Sequence, residues 1–339
     1  MPYMVQINQI KQLVESASKI VITSHKSPDG DSIGSSVALY LTLKSLGKDV
    51  VICHPDPFPN YLAWVSCVNE IIDFENKENE VRQHLNDADL IFSLDYNEPS
   101  RLGEAMGEVL RAATGKKVMI DHHLNPENYV TVMLSDTTSC STCQLVYDVI
   151  EGAEWAEHLS PEIGTAIYLG IMTDSGSFRF PSVQPRTHEI ISRILPLGFN
   201  HAIIHENIND TNTLDRLRLK GYACSDKLVV DEKMRIAYIW LTLDELHRFN
   251  HQKGDTEGLV NTALSIFEMR VAVLFVEAEG GFVKISFRSK GKENPVNEMA
   301  GKYFQGGGHA NASGGRFDGK IEDAIQLFLN VSPEYFTNK

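Results

Sequence analysis

Acidic and imidazole side chains follow four separate apolar runs of this chain, each close to the residue where the run ends. The groups are His25 with Asp29 and Asp31, then Asp95, then Asp121 with His122 and His123, and finally Asp174. Taken alone, Asp29-Gly30-Asp31 is typical of a turn or a helix cap, and Asp95 of an ordinary strand end. A carboxylate beside two imidazoles, however, needs hydrogen-bonding partners or a metal ion. Together the four groups predict one functional site.

The number and type of these groups predict a pair of divalent metal ions. The candidate ligands are His25, Asp29, Asp31, Asp95, His122 and Asp174. Two imidazoles and four carboxylates are too many ligands for one ion, and they suit two ions that share a bridging carboxylate. Asp95, which stands alone between the other groups, is the predicted bridge. Mixed oxygen and imidazole ligands without thiolate favour manganese over zinc or calcium.

A glycine-rich segment from Gln305 to Gly315 is a candidate anion site. It contains Gly306, Gly307 and Gly308, followed by His309. We expect this segment to lie outside helix and strand interiors, because glycine is unfavourable in both. Consecutive glycines let backbone N–H groups converge on an anion, and Arg288 adds a guanidinium donor. The alternative is a tight turn with a purely structural role.

The distribution of charge limits the kind of substrate. A net charge of −14 disfavours a long nucleic acid held on a broad basic surface. From Lys284 to Arg316, however, six basic residues stand against two acidic ones, which gives a local charge of +4. We therefore expect a focused site for a short anionic substrate.

The composition is typical of a cytoplasmic globular protein. The 339 residues suffice for two domains, and the five cysteines are an odd number, which argues against a disulfide framework. Cys140 and Cys143 form a C-x-x-C pair without a second pair, so we interpret them as small structural residues. We see neither a signal peptide nor an apolar run that could span a bilayer.

Strand-like and helix-like segments alternate through the first half of the chain. Strands are predicted at 19–24, 49–53, 89–95 and 117–121, and helices at 7–17, 31–46, 78–86, 104–113, 140–151 and 161–173. This alternation predicts an α/β fold with a mainly parallel sheet flanked by helices, where ligands bind beyond the carboxyl ends of the strands. Strand-like runs resume at 234–241, 270–277 and 282–288. We predict domains over 1–190 and 231–339, the second a smaller α/β domain, joined by a helical connector over 191–230.

These motifs resemble, in order, those of the DHH phosphoesterase superfamily, in the branch whose second domain is called DHHA1. The motifs are His25 to Asp31, Asp95, Asp121-His122-His123, Thr173-Asp174-Ser175-Gly176, and the glycine segment Gly306 to His309 with Ala312-Ser313-Gly314. Size and architecture resemble the two-domain nanoRNase/pAp phosphatase type. The resemblance covers nearly the whole chain, and no motif ligand is replaced.

The resemblance implies a role for each residue. One ion would bind His25, Asp29 and Asp95, and the other would bind Asp31, Asp95, His122 and Asp174. His123 and Asp95 would be catalytic, and Arg288, His309 and the three glycines would hold the substrate. The implied activity is manganese-dependent hydrolysis of short RNA oligonucleotides and of nucleotide bisphosphates such as 3′-phosphoadenosine 5′-phosphate.

Other functions stay open from the sequence. Within the same class, the chain could hydrolyse polyphosphate or the linear products of cyclic dinucleotides. Outside it, the chain could be a non-catalytic nucleotide- or RNA-binding module, although binding alone does not need six metal ligands. The state of assembly is also open, including a homo-oligomer.

Overall fold

The computed structural model describes residues 3–336 and divides them into two compact units. The first unit ends at Thr211 and the second begins at Asn212. This division falls within the stretch 191–230 that we predict as a connector, and the predicted domain bounds themselves stay a prediction.

The first unit is a parallel sheet with helices on both faces. Its strands are β1 (Lys19–Ser24), β2 (Asp49–His54), β3 (Ile72–Asp73), β4 (Leu90–Leu94), β5 (Lys116–Asp121) and β6 (Val132–Ser135). They lie in the order β3-β2-β1-β4-β5-β6, and every neighbouring pair is parallel. Its helices are α1 (Met4–Ser16), α2 (Gly30–Ser45), α3 (Phe74–Asp87), α4 (Glu104–Ala112), α5 (Thr142–Gly152), α6 (Pro161–Asp174), α7 (Pro185–Ile194) and α8 (His201–Asn209).

The apolar runs of the sequence are the central strands of this sheet. All residues of β4 are buried, as are all but the first of β1, because helices cover both faces. The polar groups that follow these strands consequently meet at one edge of the sheet. Side-chain caps start the helices there: Asp29 accepts hydrogen bonds from the first turn of α2, and Ser141 from that of α5.

Two glycines let α2, α5 and α6 approach closely beside this edge. A Cβ atom on Gly34 of α2 would lie 2.4 Å from the carbonyl oxygen of Ala166 in α6. A Cβ atom on Gly170 of α6 would lie 2.2 Å from Sγ of Cys143 and 2.5 Å from Oδ1 of Asp31. A larger residue at either position would therefore force apart the helices that carry Asp31 and Asp174.

The second unit is built on a mixed sheet. Its strands are β7 (Leu228–Asp231), β8 (Ile236–Leu241), β9 (Val271–Ala278), β10 (Phe282–Ser289), β11 (Gly307–His309) and β12 (Ala312–Asp318). They lie in the order β11-β12-β10-β9-β8-β7, with β8 and β9 parallel and the other pairs antiparallel. Its helices are α9 (Leu214–Asp226), α10 (Leu243–Arg248), α11 (Leu259–Leu264), α12 (Asn297–Tyr303) and α13 (Ile321–Phe336).

The structure confirms the predicted fold class, an α/β protein with a parallel first sheet and a smaller second domain. It corrects the prediction for the glycine-rich segment, which forms a β-hairpin of β11 and β12. The reason is packing: a Cβ atom on Gly306 would lie 2.0 Å from the carbonyl oxygen of Gly314. Glycine here permits a close approach of backbones that outweighs its low strand propensity.

The five cysteines of the chain are unpaired. All five are free thiols, and burial raises the pKa of Cys143 well above its usual value. Cys143 is therefore a neutral packing residue, in keeping with its predicted structural role. Within residues 3–336, none of the helices combines the length and the apolar character needed to cross a bilayer.

Candidate metal centre and anion-binding face

His25, Asp29 and Asp95 form the first group of potential metal ligands. The Nε2 atom of His25 lies 3.3 Å from Oδ2 of Asp95 and 3.8 Å from Oδ2 of Asp29. Its Nδ1 atom donates to the carbonyl oxygen of Lys26 at 2.9 Å. Such a bond to the backbone is typical of histidines that bind a metal through the other nitrogen. The free face of Nε2 is therefore directed at two carboxylates.

Asp31, His122 and Asp174 form the second group. The Nε2 atom of His122 lies 3.2 Å from Oδ2 of Asp174 and 3.9 Å from Oδ2 of Asp31. Its Nδ1 atom points at the carbonyl oxygen of Ser139, at 3.4 Å. Both histidines thus turn Nδ1 to the backbone and Nε2 to carboxylates. In each group, one donor atom per residue lies within 4.8 Å of the others.

Asp95 lies between the two groups. Its Oδ2 atom faces Nε2 of His25, and its Oδ1 atom lies 3.5 Å from Nε2 of His122. Asp95 directly follows β4 and has the left-handed backbone conformation, with φ 64°, which is uncommon outside glycine. Such backbone strain is found where the surroundings hold a residue in place, often at functional sites. The two oxygen atoms of one carboxylate therefore face the two groups, as a bridging ligand requires.

The charges of this cluster are out of balance without a cation. Burial, together with the charges of Asp95 and Asp174, raises the pKa of Asp31 well above its usual value. Burial likewise raises the pKa of Asp174 to about 6. The pKa of Asp95 is held well below its usual value, since hydrogen bonds from His122 and His25 outweigh its burial.

The pKa values of the two histidines, His25 and His122, are also raised. Burial lowers the pKa of His25, but its hydrogen bond to Asp95 and the charge of Asp29 outweigh this and raise it to about 9. The pKa of His122 is raised well above its usual value by Asp174 and Asp95, again against burial. Carboxylates that resist ionisation and imidazoles that retain protons both indicate a site with too little positive charge. The donor set therefore fits one or two divalent cations.

His123 is placed differently from His122, although the two are neighbours. Its Nδ1 atom donates to Oδ1 of Asp121 at 2.7 Å. Asp121 is fully buried, and its Oδ2 atom has no hydrogen-bond partner. A buried carboxylate bound to Nδ1 fixes the orientation of the imidazole ring.

Thr142 and Cys143, at the start of α5, hold two of the acids, a contact that we did not predict from the sequence. The backbone N–H groups of Thr142 and Cys143 donate to Asp31 at 2.6 and 2.9 Å. The hydroxyl of Thr142 donates to Oδ1 of Asp95 at 2.9 Å. A signal was present, since Ser141 and Gln144 have capping-box spacing, and a helix N-terminus attracts anions.

In the second unit, Arg288 and His309 lie in one row across three strands. Arg288 of β10 is paired with Ala312 of β12, which is paired with His309 of β11. Directly paired residues project from the same face of a sheet, so both side chains flank the small Ala312. The turn of the hairpin is fixed to the end of β10, because Asn311 donates to Oγ of Ser289 at 2.8 Å.

The Arg288 guanidinium has no carboxylate partner among the described residues. Its Nη1 atom donates to the carbonyl oxygen of Phe287 at 2.9 Å, and no carboxylate of residues 3–336 forms an ion pair with it. Burial lowers its pKa, as expected for a cation held from water without an anion. This face of the sheet therefore has the chemistry of an anion site. The close backbone packing of Gly306 and Gly308 supports the hairpin, whereas Gly307 faces open space.

Two family models match the two units of the chain. The model described as the N-terminal domain of the DHH family matches residues 19–171, and that of the DHHA1 domain matches residues 233–338. Together they contain every residue that we predict as a ligand or substrate contact, except Asp174, which lies three residues beyond the first match.

Three proteins with descriptive names resemble this chain along most of its length and of their own. A bifunctional oligoribonuclease and PAP phosphatase of Thermus thermophilus is 29% identical over 94% of this chain and 90% of its own length. The Bacillus subtilis protein of the same name is 28% identical over 87% of this chain and 88% of its own length. A crystal structure of an exopolyphosphatase-related protein from Bacteroides fragilis is 38% identical, covers 98% of this chain and 96% of its own, and superposes with a TM-score of 0.95.

Proposed function

This chain belongs to the DHH family and carries a DHHA1 domain, and on that premise we propose that it hydrolyses short oligoribonucleotides and 3′-phosphoadenosine 5′-phosphate. The reaction would be phosphodiester and phosphomonoester hydrolysis that depends on two divalent ions. The names of the Thermus and Bacillus relatives, which match along most of their length, support these substrates. The five free thiols suit the reducing cytoplasm as its setting.

The observation that carries the proposal is the pair of donor groups joined by Asp95. His25 with Asp29 would hold one ion and His122 with Asp31 and Asp174 the other, with Asp95 between them. Carboxylate and imidazole donors without thiolate favour manganese. Two such ions would neutralise charge on phosphoryl oxygens and lower the pKa of water, so that a nucleophile is available near neutral pH.

The residues of the chain would orient these ligands and the substrate. The α5 N-terminus fixes the carboxylates of Asp31 and Asp95 through Thr142, so that neither needs to reorganise during the reaction. Asp121 would keep the ring of His123 turned with Nε2 toward the phosphate. From there, Nε2 could donate a hydrogen bond to a phosphoryl oxygen or a proton to the leaving oxygen.

The second unit would hold a phosphate of the substrate. Arg288, without a counter-ion in its own unit, would donate to this phosphate, and His309 in the same row would add a second donor. The glycine hairpin would contribute through Gly307, where no side chain limits access. A single anion site of this size suits a short substrate.

The test is a substrate panel with manganese at fixed salt. It contains RNA of two to about twenty nucleotides, 3′-phosphoadenosine 5′-phosphate, pyrophosphate and polyphosphate. We expect the highest kcat/KM for two to four nucleotides and a steep fall with length, since a protein of charge −14 repels a long polyanion. A flat or rising profile with length would contradict the proposal.

Polyphosphate hydrolysis is the second candidate. It is favoured by one observation, the likeness to a protein described as exopolyphosphatase-related, at 38% identity over nearly the full length. In the same panel, turnover of polyphosphate above that of every nucleotide would support this alternative. Absence of hydrolysis on all substrates, with intact nucleotide binding, would indicate a binding module instead.

A further inference from the structure

The rim segment, which joins α6 to α7, borders the metal-ligand cluster at both of its ends. It begins directly after Asp174, whose Oδ2 atom lies 3.2 Å from Nε2 of His122. It ends at Gln184, whose side-chain amide donates to the carbonyl oxygen of Thr138 at 3.2 Å. Thr138 precedes Ser139, whose carbonyl oxygen faces Nδ1 of His122. The rim segment is therefore attached to the cluster on two sides of His122.

Backbone hydrogen bonds fold the rim segment into a tight loop. The N–H groups of Arg179 and Phe180 both donate to the carbonyl oxygen of Ser175, at 2.9 and 3.0 Å. The N–H group of Val183 donates in turn to the carbonyl oxygen of Phe180, at 3.1 Å. The backbone of Phe180 is thus held on both sides, so that little conformational freedom is lost when a ligand binds there.

The ring of Phe180 lies flat on Gly176 and leaves its other face open. A Cβ atom on Gly176 would lie 2.6, 2.7 and 2.9 Å from Cζ, Cε1 and Cε2 of Phe180. Because these three distances are nearly equal, Gly176 faces the plane of the ring and not its edge. Phe180 is nevertheless 46% exposed, so the opposite face of the ring is accessible to solvent. A side chain at position 176 would displace the ring, and glycine keeps it seated.

A cation stands beside this ring, close to the cluster. Arg179 is exposed, and no carboxylate of residues 3–336 forms an ion pair with it. Single-stranded nucleic acids bind where a cation attracts the phosphate and an aromatic ring stacks on a base. The Cα atoms of Gly176 and Asp174 are at most about 7.6 Å apart, since two residues separate them by two steps of about 3.8 Å. A nucleoside attached to a phosphate at the cluster can therefore reach the ring of Phe180.

We propose that the open face of Phe180 stacks on one nucleobase of the substrate whose phosphate lies at the metal-ligand cluster. The inference rests on the proposed function, since it names the part of the oligonucleotide that the first unit contacts apart from the phosphate. Stacking uses the π face that every base has, so this contact accepts all four bases.

Two substitutions of Phe180 separate stacking from simple apolar contact. Phe180→Leu keeps an apolar side chain but removes the ring, whereas Phe180→Trp keeps a ring. The probe is a dinucleotide of 2-aminopurine and an abasic sugar with an uncleavable methylene phosphonate linkage, bound in magnesium and followed by fluorescence. We expect Phe180→Leu to bind it about tenfold more weakly and Phe180→Trp to bind it within about threefold of the unchanged protein. Phe267→Leu removes an exposed ring of the second unit and, as the control, should bind as the unchanged protein does.

A second probe, with the same linkage between two abasic sugars, tests whether the base is what Phe180 binds. Phe180→Leu should leave the affinity for this probe unchanged, because no base is present. Arg179→Gln should instead weaken the binding of both probes alike, since its charge acts on the phosphate. Equal losses for both probes in Phe180→Leu would show that the ring only supports the rim segment, which overturns the proposal.

Fluorescence of the unchanged protein decides the question if Phe180→Leu fails to fold. A base that stacks on an aromatic ring is quenched, so the emission of 2-aminopurine should fall on binding. The proposal is overturned if the probe does not bind, if it binds without quenching, or if a folded Phe180→Leu binds it as tightly as Phe267→Leu does.

Hydrolysis with manganese separates this proposal from the proposed function. If the unchanged protein cleaves no dinucleotide, the proposed function fails, and binding of the uncleavable probes still decides whether Phe180 takes a base. If it cleaves dinucleotides and Phe180→Leu does so with the same KM, the proposed function stands and the stacking contact is refuted. We expect cleavage by both proteins, with KM raised about tenfold in Phe180→Leu.

Discussion

The two units hold opposite imbalances of charge. In the first, Asp31 and Asp95 are buried beside Asp174, and no lysine or arginine belongs to any of the ligand groups. In the second, Arg288 is largely withdrawn from water and no described carboxylate pairs with it. A buried charge without a counter-charge is costly, and proteins keep it where a ligand supplies the missing partner. The first unit is therefore suited to bind cations, and the second to bind an anion.

Under the proposed function, this difference would separate the chemical step from substrate binding. The acids of the first unit are held by backbone N–H groups and a hydroxyl, so their positions are fixed before any ion binds. Arg288 and His309 lie in one row on a face of the sheet that includes the glycine hairpin. Changes in the first unit should alter metal content and turnover, and changes in the second should alter substrate binding.

The largest effect is expected from Asp95→Asn. The amide keeps the size of the side chain but removes the charge that faces both donor groups, so metal content should fall. Hydrolysis of every substrate, including bis(p-nitrophenyl) phosphate, should fall about 10³-fold or more. Metal content by mass spectrometry and kcat/KM check this. Asp49→Asn, at an exposed position on β2, is the control. Near-normal turnover in Asp95→Asn would contradict the shared-ligand assignment.

Arg288→Ala tests the proposed phosphate contact of the second unit. Loss of a charged donor to phosphate should lower kcat/KM for nucleotides about 10- to 100-fold, mainly through KM, and leave metal content unchanged. Lys284→Ala removes a basic residue from an exposed position of the same strand and should have little effect. If both variants lose equal activity, the site is a diffuse basic surface and not a specific anion contact.

The ligand positions could be predicted because they depend on a regular feature of the fold. Buried parallel strands give continuous apolar runs, and their carboxyl ends lie at the same edge of the sheet. Because β4 and β5 are adjacent, Asp95 and His122, which follow them, could be expected to lie close together. The structure brings the six predicted ligands together, while their binding of metal stays a prediction. The short strand β3, of two residues, gives no comparable pattern.

The supporting contacts could not be predicted, because they join distant parts of the chain. Thr142 meets Asp31 across 111 residues, and nothing in the local sequence connects them. The hairpin was missed for a related reason. Gly315 interrupts strand propensity, but a Cβ atom there would lie 3.0 Å from Cβ of Phe304, so tertiary packing selects glycine in a strand.

Adjacent glycines of the hairpin should differ in their effect on stability. In Gly306→Ala the new methyl group would lie 2.0 Å from the carbonyl oxygen of Gly314, so the strands must separate at a cost of about 2 kcal/mol or more. In Gly307→Ala nothing lies within 4 Å, and stability should change by less than about 0.5 kcal/mol. Urea denaturation measures both. Equal losses would show that the hairpin is not packed as described.

The smallest expected effect is a pH dependence of stability. The metal-free protein should show it, and the manganese-bound protein should not. In the metal-free protein the pKa of His25 is about 9, against a usual value near 6.5, so the native state retains a proton that the unfolded state releases between these values. Stability should therefore decline as the pH rises from 6.5 to about 9, by roughly 1–3 kcal/mol. Bound manganese requires neutral imidazole and takes the place of the proton, so this decline should vanish.

Urea midpoints at both pH values, in EDTA and in manganese, measure the difference. His25→Gln should flatten the metal-free profile, and His84→Gln, at a half-buried position of α3 outside the ligand groups, should leave it unchanged. A decline that persists equally in manganese would mean that His25 is not a ligand.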